Sequence, residues 1–185
     1  INNATTGTIT LADVTVALSG STADVKAALG GAFAAGYTGN VTLGDANTTS
    51  IAATDISTIE GDTSGTVTVT NNINITGTAA EITSAVGVVD TFSGTPTAAV
   101  SNAHTLAELK AINNAVTGTI SLNDNTVALV GSAADIKAAL AGNFGSTYTG
   151  NVTISDADAA GITATDISII AGDTTGTVTV TNNIN

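Results

Sequence analysis

The chain has 185 residues, 43% of them hydrophobic, which is enough to bury a continuous core, and it lacks cysteine, methionine and tryptophan. Three basic residues, Lys26, Lys110 and Lys137, stand against fifteen acidic ones for a formal charge of −12. That balance excludes nucleic acid and anionic membrane surfaces as partners, because both are bound through basic patches, and leaves polar carbohydrate or divalent cations as the ligand classes it permits.

Ile1-Asn2-Asn3 opens the chain with neither an initiator methionine nor a charged and then apolar leader, so any export signal is expected outside this segment. Thr8–Leu11 alternates hydroxyl with aliphatic residues as a strand does, and Ala12-Asp13 turns the chain. Ser21-x-x-Asp24 followed by Val25 reads as a helix capping box, with Val25, Leu29 and Phe33 on one face of the helix behind it. Val41–Leu43 is the next strand and Gly44-Asp45-Ala46-Asn47 the corner after it. Ala52/Asp55/Ile56 is a degenerate box, Val67–Val69 a strand and Asn71-Asn72 a corner. Thr78/Glu81/Ile82 caps a helix with Ile82, Val86 and Val89 on its apolar face.

From Gly87 to Ala103 the pattern lapses around Asp90, Phe92, Gly94 and the single proline, Pro96, and an irregular segment is expected before the Ser101-Asn102 corner. His104 then sits at the entry of the helix capped by Thr105/Glu108, which carries Leu106, Leu109 and Ile112. Thr119–Leu122 is a strand, Asn123-Asp124-Asn125 a corner, and Ser132/Asp135 caps a helix with Ile136, Leu140 and Phe144 aligned. Val152–Ile154, the corner Ser155-Asp156-Ala157-Asp158, the Thr163/Asp166/Ile167 box, strand Val178–Val180 and corner Asn182-Asn183 complete the series.

Two periods organise these elements. Residues 1–74 align without a gap on 112–185, with 52 of 74 positions identical, which points to recent duplication and a longer parent array. Within that 111-residue period the boxes near 21, 52, 78, 105, 132 and 163 recur every 26 to 31 residues. The expected fold is one continuous α/β solenoid over 1–185, made of right-handed stacked coils of short helix, strand, Asx corner and short strand. An all-β solenoid or ββα hairpin repeats are the alternatives, because aliphatic parity from Val67 to Ile75 also suits a hairpin.

The units Val16–Leu29 (VALSGSTADVKAAL) and Ile73–Ile82 (INITGTAAEI) resemble the repeat regions of giant secreted bacterial surface proteins, of the repetitive adhesin, haemolysin-like or S-layer-like kind. The resemblance implies an extracellular, cell-surface location and an adhesive or scaffolding role, and it transfers no catalytic residue. The glycine-rich nonapeptide calcium repeat of some such proteins is absent from this sequence.

No catalytic constellation is read: the lone His104 has no cysteine to pair with, and Asp24, Asp55, Glu81, Glu108, Asp135 and Asp166 fall at N3 of the boxes. The corner residues Asp45, Asn47, Asp156 and Asp158 remain as candidate calcium ligands, set against a plain turn role, and no other cofactor is expected. The expected function is that of a structural repeat module, not an enzyme: a spacer, filament or surface-layer element that associates with itself or with neighbouring repeats, end to end. The alternative is an adhesive module that binds carbohydrate, calcium or ice through the Asx corners or a Thr face, as at Thr66/Thr68/Thr70.

Overall fold

The computed structural model describes residues 2–158 and 161–181 and is mixed α/β. After a 3-10 turn at Asn2–Ala4 the elements run β1 (Leu18–Gly20), α1 (Thr22–Leu29), β2 (Val41–Leu43), β3 (Ser50–Ala52), α2 (Ala53–Gly61), β4 (Val67–Val69), β5 (Asn74–Gly77) and α3 (Ala79–Val88). They continue with β6 (Thr91–Phe92), β7 (Thr97–Val100), α4 (Leu106–Ala115), β8 (Ile120–Leu122), β9 (Leu129–Gly131), α5 (Ala133–Leu140), β10 (Val152–Ile154), α6 (Ala164–Asp173) and β11 (Val178–Val180). The Asn182-Asn183 corner lies outside the described residues.

The strands form three sheets, ordered β1-β2-β4-β6, β3-β5-β7-β8 and β9-β10-β11. Among the described residues every strand pair is parallel. Hairpin repeats would need antiparallel neighbours, and an all-β chain would lack the six helices present among the described residues, so neither alternative describes them. Paired residues lie 22 to 26 positions apart, whereas helix starts recur every 26 to 31. Helices therefore enter at shifting points along the ladders: α1 and α5 follow strands of the first and third sheets, while α2, α3 and α4 follow β3, β5 and β7 of the second.

Alternation inside the three-residue strands sets the core. Val41, Leu43, Val67 and Val69 are at most 1% exposed, while Thr42 and Thr68 between them face outward. From the helices, Ile56, Ile59, Ile82, Ile112 and Ile136 are fully buried, each burial stabilising by about 1.5–3 kcal/mol. Each helix packs chiefly on the helix before and the helix after it in the chain. The core divides into two clusters that meet at Leu122 and Phe144, where the second sheet ends at β8 and the third begins at β9.

Local readings differ from the structure in four places. Phe33 and Phe144 stand beyond their helices, which stop at Leu29 and Leu140, and instead bridge in parallel to Ile9 and Ile120. The chain must leave the helix there because it runs hard against Asn2 and Asn113: a Cβ on Gly31 would sit 2.6 Å from Asn2 Oδ1, and Gly142 is as close to Asn113. Thr8–Leu11 makes only that single bridge at Ile9. Val89 caps the C-terminus of α3 from an extended conformation. The segment 87–103 is regular rather than irregular, since it contains β6 and β7, and the buried Pro96 precedes β7 where no ladder donor is required.

Backbone runs close against backbone at Gly65, where an added Cβ would lie 2.5 Å from the carbonyl carbon of Gly39 and 2.8 Å from Asn40 N, whereas Gly36 has open space. Gly65→Ala should lower unfolding free energy by about 1–3 kcal/mol, while Gly36→Ala should be neutral or raise it by up to about 1 kcal/mol. Paired denaturant melts check the order, and equal effects would rule out the close approach.

Candidate functional site

Helices of 8 to 10 residues leave a large share of their amides without intrahelical acceptors. Ser21, Thr78, Thr105, Ser132 and Thr163 occupy the N-caps, and each hydroxyl accepts the N3 amide at 3.0–3.3 Å. Glu81 and Glu108 return a carboxylate oxygen to the N–H of Thr78 and Thr105, at 2.8 Å in both, closing full capping boxes. Asp24, Asp135 and Asp166 are one methylene shorter and accept the cap hydroxyl instead, at 2.7–2.8 Å.

The shorter acids do something further. Lys110 of α4 donates to Asp135 of α5 at 2.5 Å, Lys26 of α1 to Asp55 of α2 at 2.5 Å, and Lys137 of α5 to Asp166 of α6. All three lysines of the chain are thus used to tie one helix to the N3 acid of the next. Where the preceding helix carries no lysine, as α2 and α3, the next helix has Glu at N3. Lys110 first, then the Ser132 hydroxyl, hold Asp135 below the usual carboxylate range, and Lys137 and Thr163 do the same for Asp166.

The first amide of three helices is met from the corner 23 residues on. Asp45, which is buried, accepts from Thr22 N at 2.9 Å and Thr22 Oγ1 at 2.6 Å. Asp156 accepts from Ala133 N at 2.7 Å, and Asn102 Oδ1 from Ala79 N at 2.8 Å. Asn47 Oδ1 accepts from Asn72 N at 3.0 Å, and Asp158, on the surface, is engaged as well. The four corner candidates fall in two separate corners, one per repeat. Among the described residues no three His, Cys, Asp or Glu side chains converge to hold a metal ion. The use of Asn102 as an acceptor had no signal in the sequence beyond its place in a corner. Outward Ser19, Thr42, Thr68 and Thr91 align in register, a row one residue wide.

His104 is not merely a helix-entry residue. It is 4% exposed, its ring lies 5.9 Å from that of Tyr148, and Nε2 is 3.1 Å from the tyrosine oxygen. Tyr148 donates its own proton to the Val127 carbonyl at 2.7 Å, so its oxygen accepts from Nε2–H. That tautomer leaves Nδ1 buried without a protein partner. Burial holds His104 below its ordinary value, against the pull of Asp124 and Glu108, and burial together with Asp124 raises Tyr148. The arrangement fixes a neutral imidazole against Tyr148 of the second core cluster. It presents no reactive group to solvent.

Comparisons with protein-family models, with curated proteins and with solved structures find no match to this chain.

Two outcomes follow from the site. Asp45→Ala strips acceptors from two donors of a buried helix start and should cost about 2–3 kcal/mol, with Asp45→Asn losing less, whereas Lys26→Ala, at a half-exposed pair, should stay within about 1 kcal/mol. Chemical denaturation of the three variants measures this. As pH falls through about 6.5 the unfolded chain protonates at position 104 before the folded one; the stability that neutral His104 contributes is complete above that pH and is lost below it. His104→Gln should flatten the fall in unfolding free energy between about pH 7 and 5.5, above the range in which ordinary carboxylates titrate.

Proposed function

We propose that this chain is a structural repeat module of an extracellular bacterial surface protein, in which the α/β elements form stacked right-handed solenoid coils that serve as a spacer, filament or surface-layer element. The observation that carries this reading is that apolar faces stand open at both ends of the helix series. Ile9 and Leu18 at one end and Ile167, Val178 and Val180 at the other are only partly buried, although their repeat equivalents Ile120, Leu129, Ile56, Val67 and Val69 are at most 1% exposed. Packing of each helix chiefly on its sequence neighbours, and parallel pairing at a near-constant offset, support a body that lengthens by adding units. Commitment of every lysine and most N3 acids to inter-unit ties or caps supports a scaffold over an enzyme.

Such a module should associate head to tail, because two different open faces generate an open, non-closing contact. Sedimentation velocity over a wide concentration range should show growing oligomers, and Val178→Asp should return the chain toward monomer without unfolding it. A strictly monomeric chain at high concentration would remove the physical support for assembly.

A further inference from the structure

An apolar groove of about 400 Å³ on the first repeat is lined by Ile9, Leu11, Leu18, Leu29, Phe33 and Tyr37. Each has a twin 111 residues on, and although 22 of the 74 aligned positions differ, none of these six does. The twin surface is covered at three positions, while Leu122 and Phe144 stay half-buried as Leu11 and Phe33 do. Ile120 and Leu129 are 0% and 1% exposed, and Ala139 is fully buried where its twin Ala28 is exposed.

What covers these three positions is Thr97–Ala111. Ala98 pairs in parallel with Ile120 and donates its N–H to the Thr119 carbonyl at 3.0 Å. The Pro96 carbonyl, just ahead of it, accepts from Gly118 N at 2.9 Å. Leu109 enters the cluster of Leu129 and Leu140, His104 closes over Tyr148, and Lys110 reaches Asp135.

The first repeat keeps the complement of that segment. A Cβ on Gly118 would lie 2.6 Å from the Pro96 carbonyl and one on Gly131 would strike Leu106, whereas their twins Gly7 and Gly20 meet only atoms of their own loop and helix. Tyr37 gives its hydroxyl proton to Val16 as Tyr148 does to Val127, which leaves its oxygen able to accept. Asp24 takes the Ser21 hydroxyl as Asp135 takes that of Ser132, but all three lysines of the chain pair elsewhere.

We propose that this groove seats the Thr97–Ala111 stretch of another repeat unit of the same sequence: its strand beside Ile9, its histidine on the Tyr37 oxygen, its helix across Ala28 and Leu29, and its lysine on Asp24. The proposal rests on the repeat-module reading above and names the surface and the segment through which units join. The seat is complementary to that segment in four separable ways: edge backbone groups, two cleared glycines, a hydroxyl acceptor and an N3 carboxylate.

The test places a copy of residues 75–111, the part of the 111-residue period that precedes Ile112, ahead of Ile1 of the intact 185-residue chain. The added histidine should titrate below about 6.5, as His104 does, when followed by NMR. In a chain that has no cysteine of its own, thiols placed at the added copy of Ala98 and at Ile9 should be joined within one chain by a short bifunctional reagent. Ala28→Lys, at a position exposed in the parent chain, should abolish both signals. An added histidine at its ordinary value with no intrachain crosslink overturns the proposal. So does loss of the shift at His104 itself, because a segment seated in this way cannot unfold the unit it completes. Concentration-dependent association of the unextended chain is a separate readout: it can persist while the seat fails, or fail while the seat holds.

Discussion

A helix of two to three turns cannot hold itself together in water, and the molecule depends on how its six helix starts are satisfied. Five of the six described starts take a hydroxyl at N3 from the residue before the helix, α2 behind Ala52 being the exception. For α1, α3 and α5 the corner 23 residues later also supplies an oxygen to the first amide. Because that second acceptor belongs to chain that follows the helix, these three helix starts are complete only when the next stretch is in place. Order at one helix is therefore coupled to order at the next, which gives a chain of three-residue strands a cooperative core.

The choice between aspartate and glutamate at N3 refines this coupling. Glutamate reaches the cap backbone and uses its carboxylate within its own helix, as at Glu81 and Glu108. Aspartate cannot reach, turns to the cap hydroxyl, and keeps an oxygen for a lysine arriving from the helix before. One methylene decides whether a helix start is self-contained or bound to its predecessor. The pairs are 25–46% exposed by side chain, so they align helices more than they stabilise them.

The sequence makes the caps legible, because Ser or Thr three residues before an acid has one physical use ahead of an aliphatic run. Strand positions 41–43, 67–69, 152–154 and 178–180 are legible for the same reason, since alternation at period two has a single reading. What stays hidden depends on register. Nothing local says that Asp45 lies over Thr22, that His104 lies over Tyr148 44 residues away, or that the second sheet gives way to a third at β9. Phe33 misleads because it continues helical spacing from Leu29, while Gly31, just past the helix end, is needed for a close approach to Asn2 that spacing cannot reveal. The corner acids are ambiguous in sequence for a related reason: turn residues and cation ligands draw on the same side chains, and only placement shows that Asp45 and Asp156 accept from helix-start amides.

Charge gives the proposed module a direction. With fifteen acids against three lysines, all of them paired, the formal net charge is −12, so two molecules repel wherever their acidic surfaces face each other. The ends carry the opposite tendency, since Ile9, Leu18, Val178 and Val180 are incompletely covered there. Repulsion between sides and burial between ends favour growth along one axis over lateral clumping, and added salt should weaken only the first of these terms. In the proposed module an acidic flank and an apolar end act together, the first keeping sides apart and the second offering the surface through which units would associate.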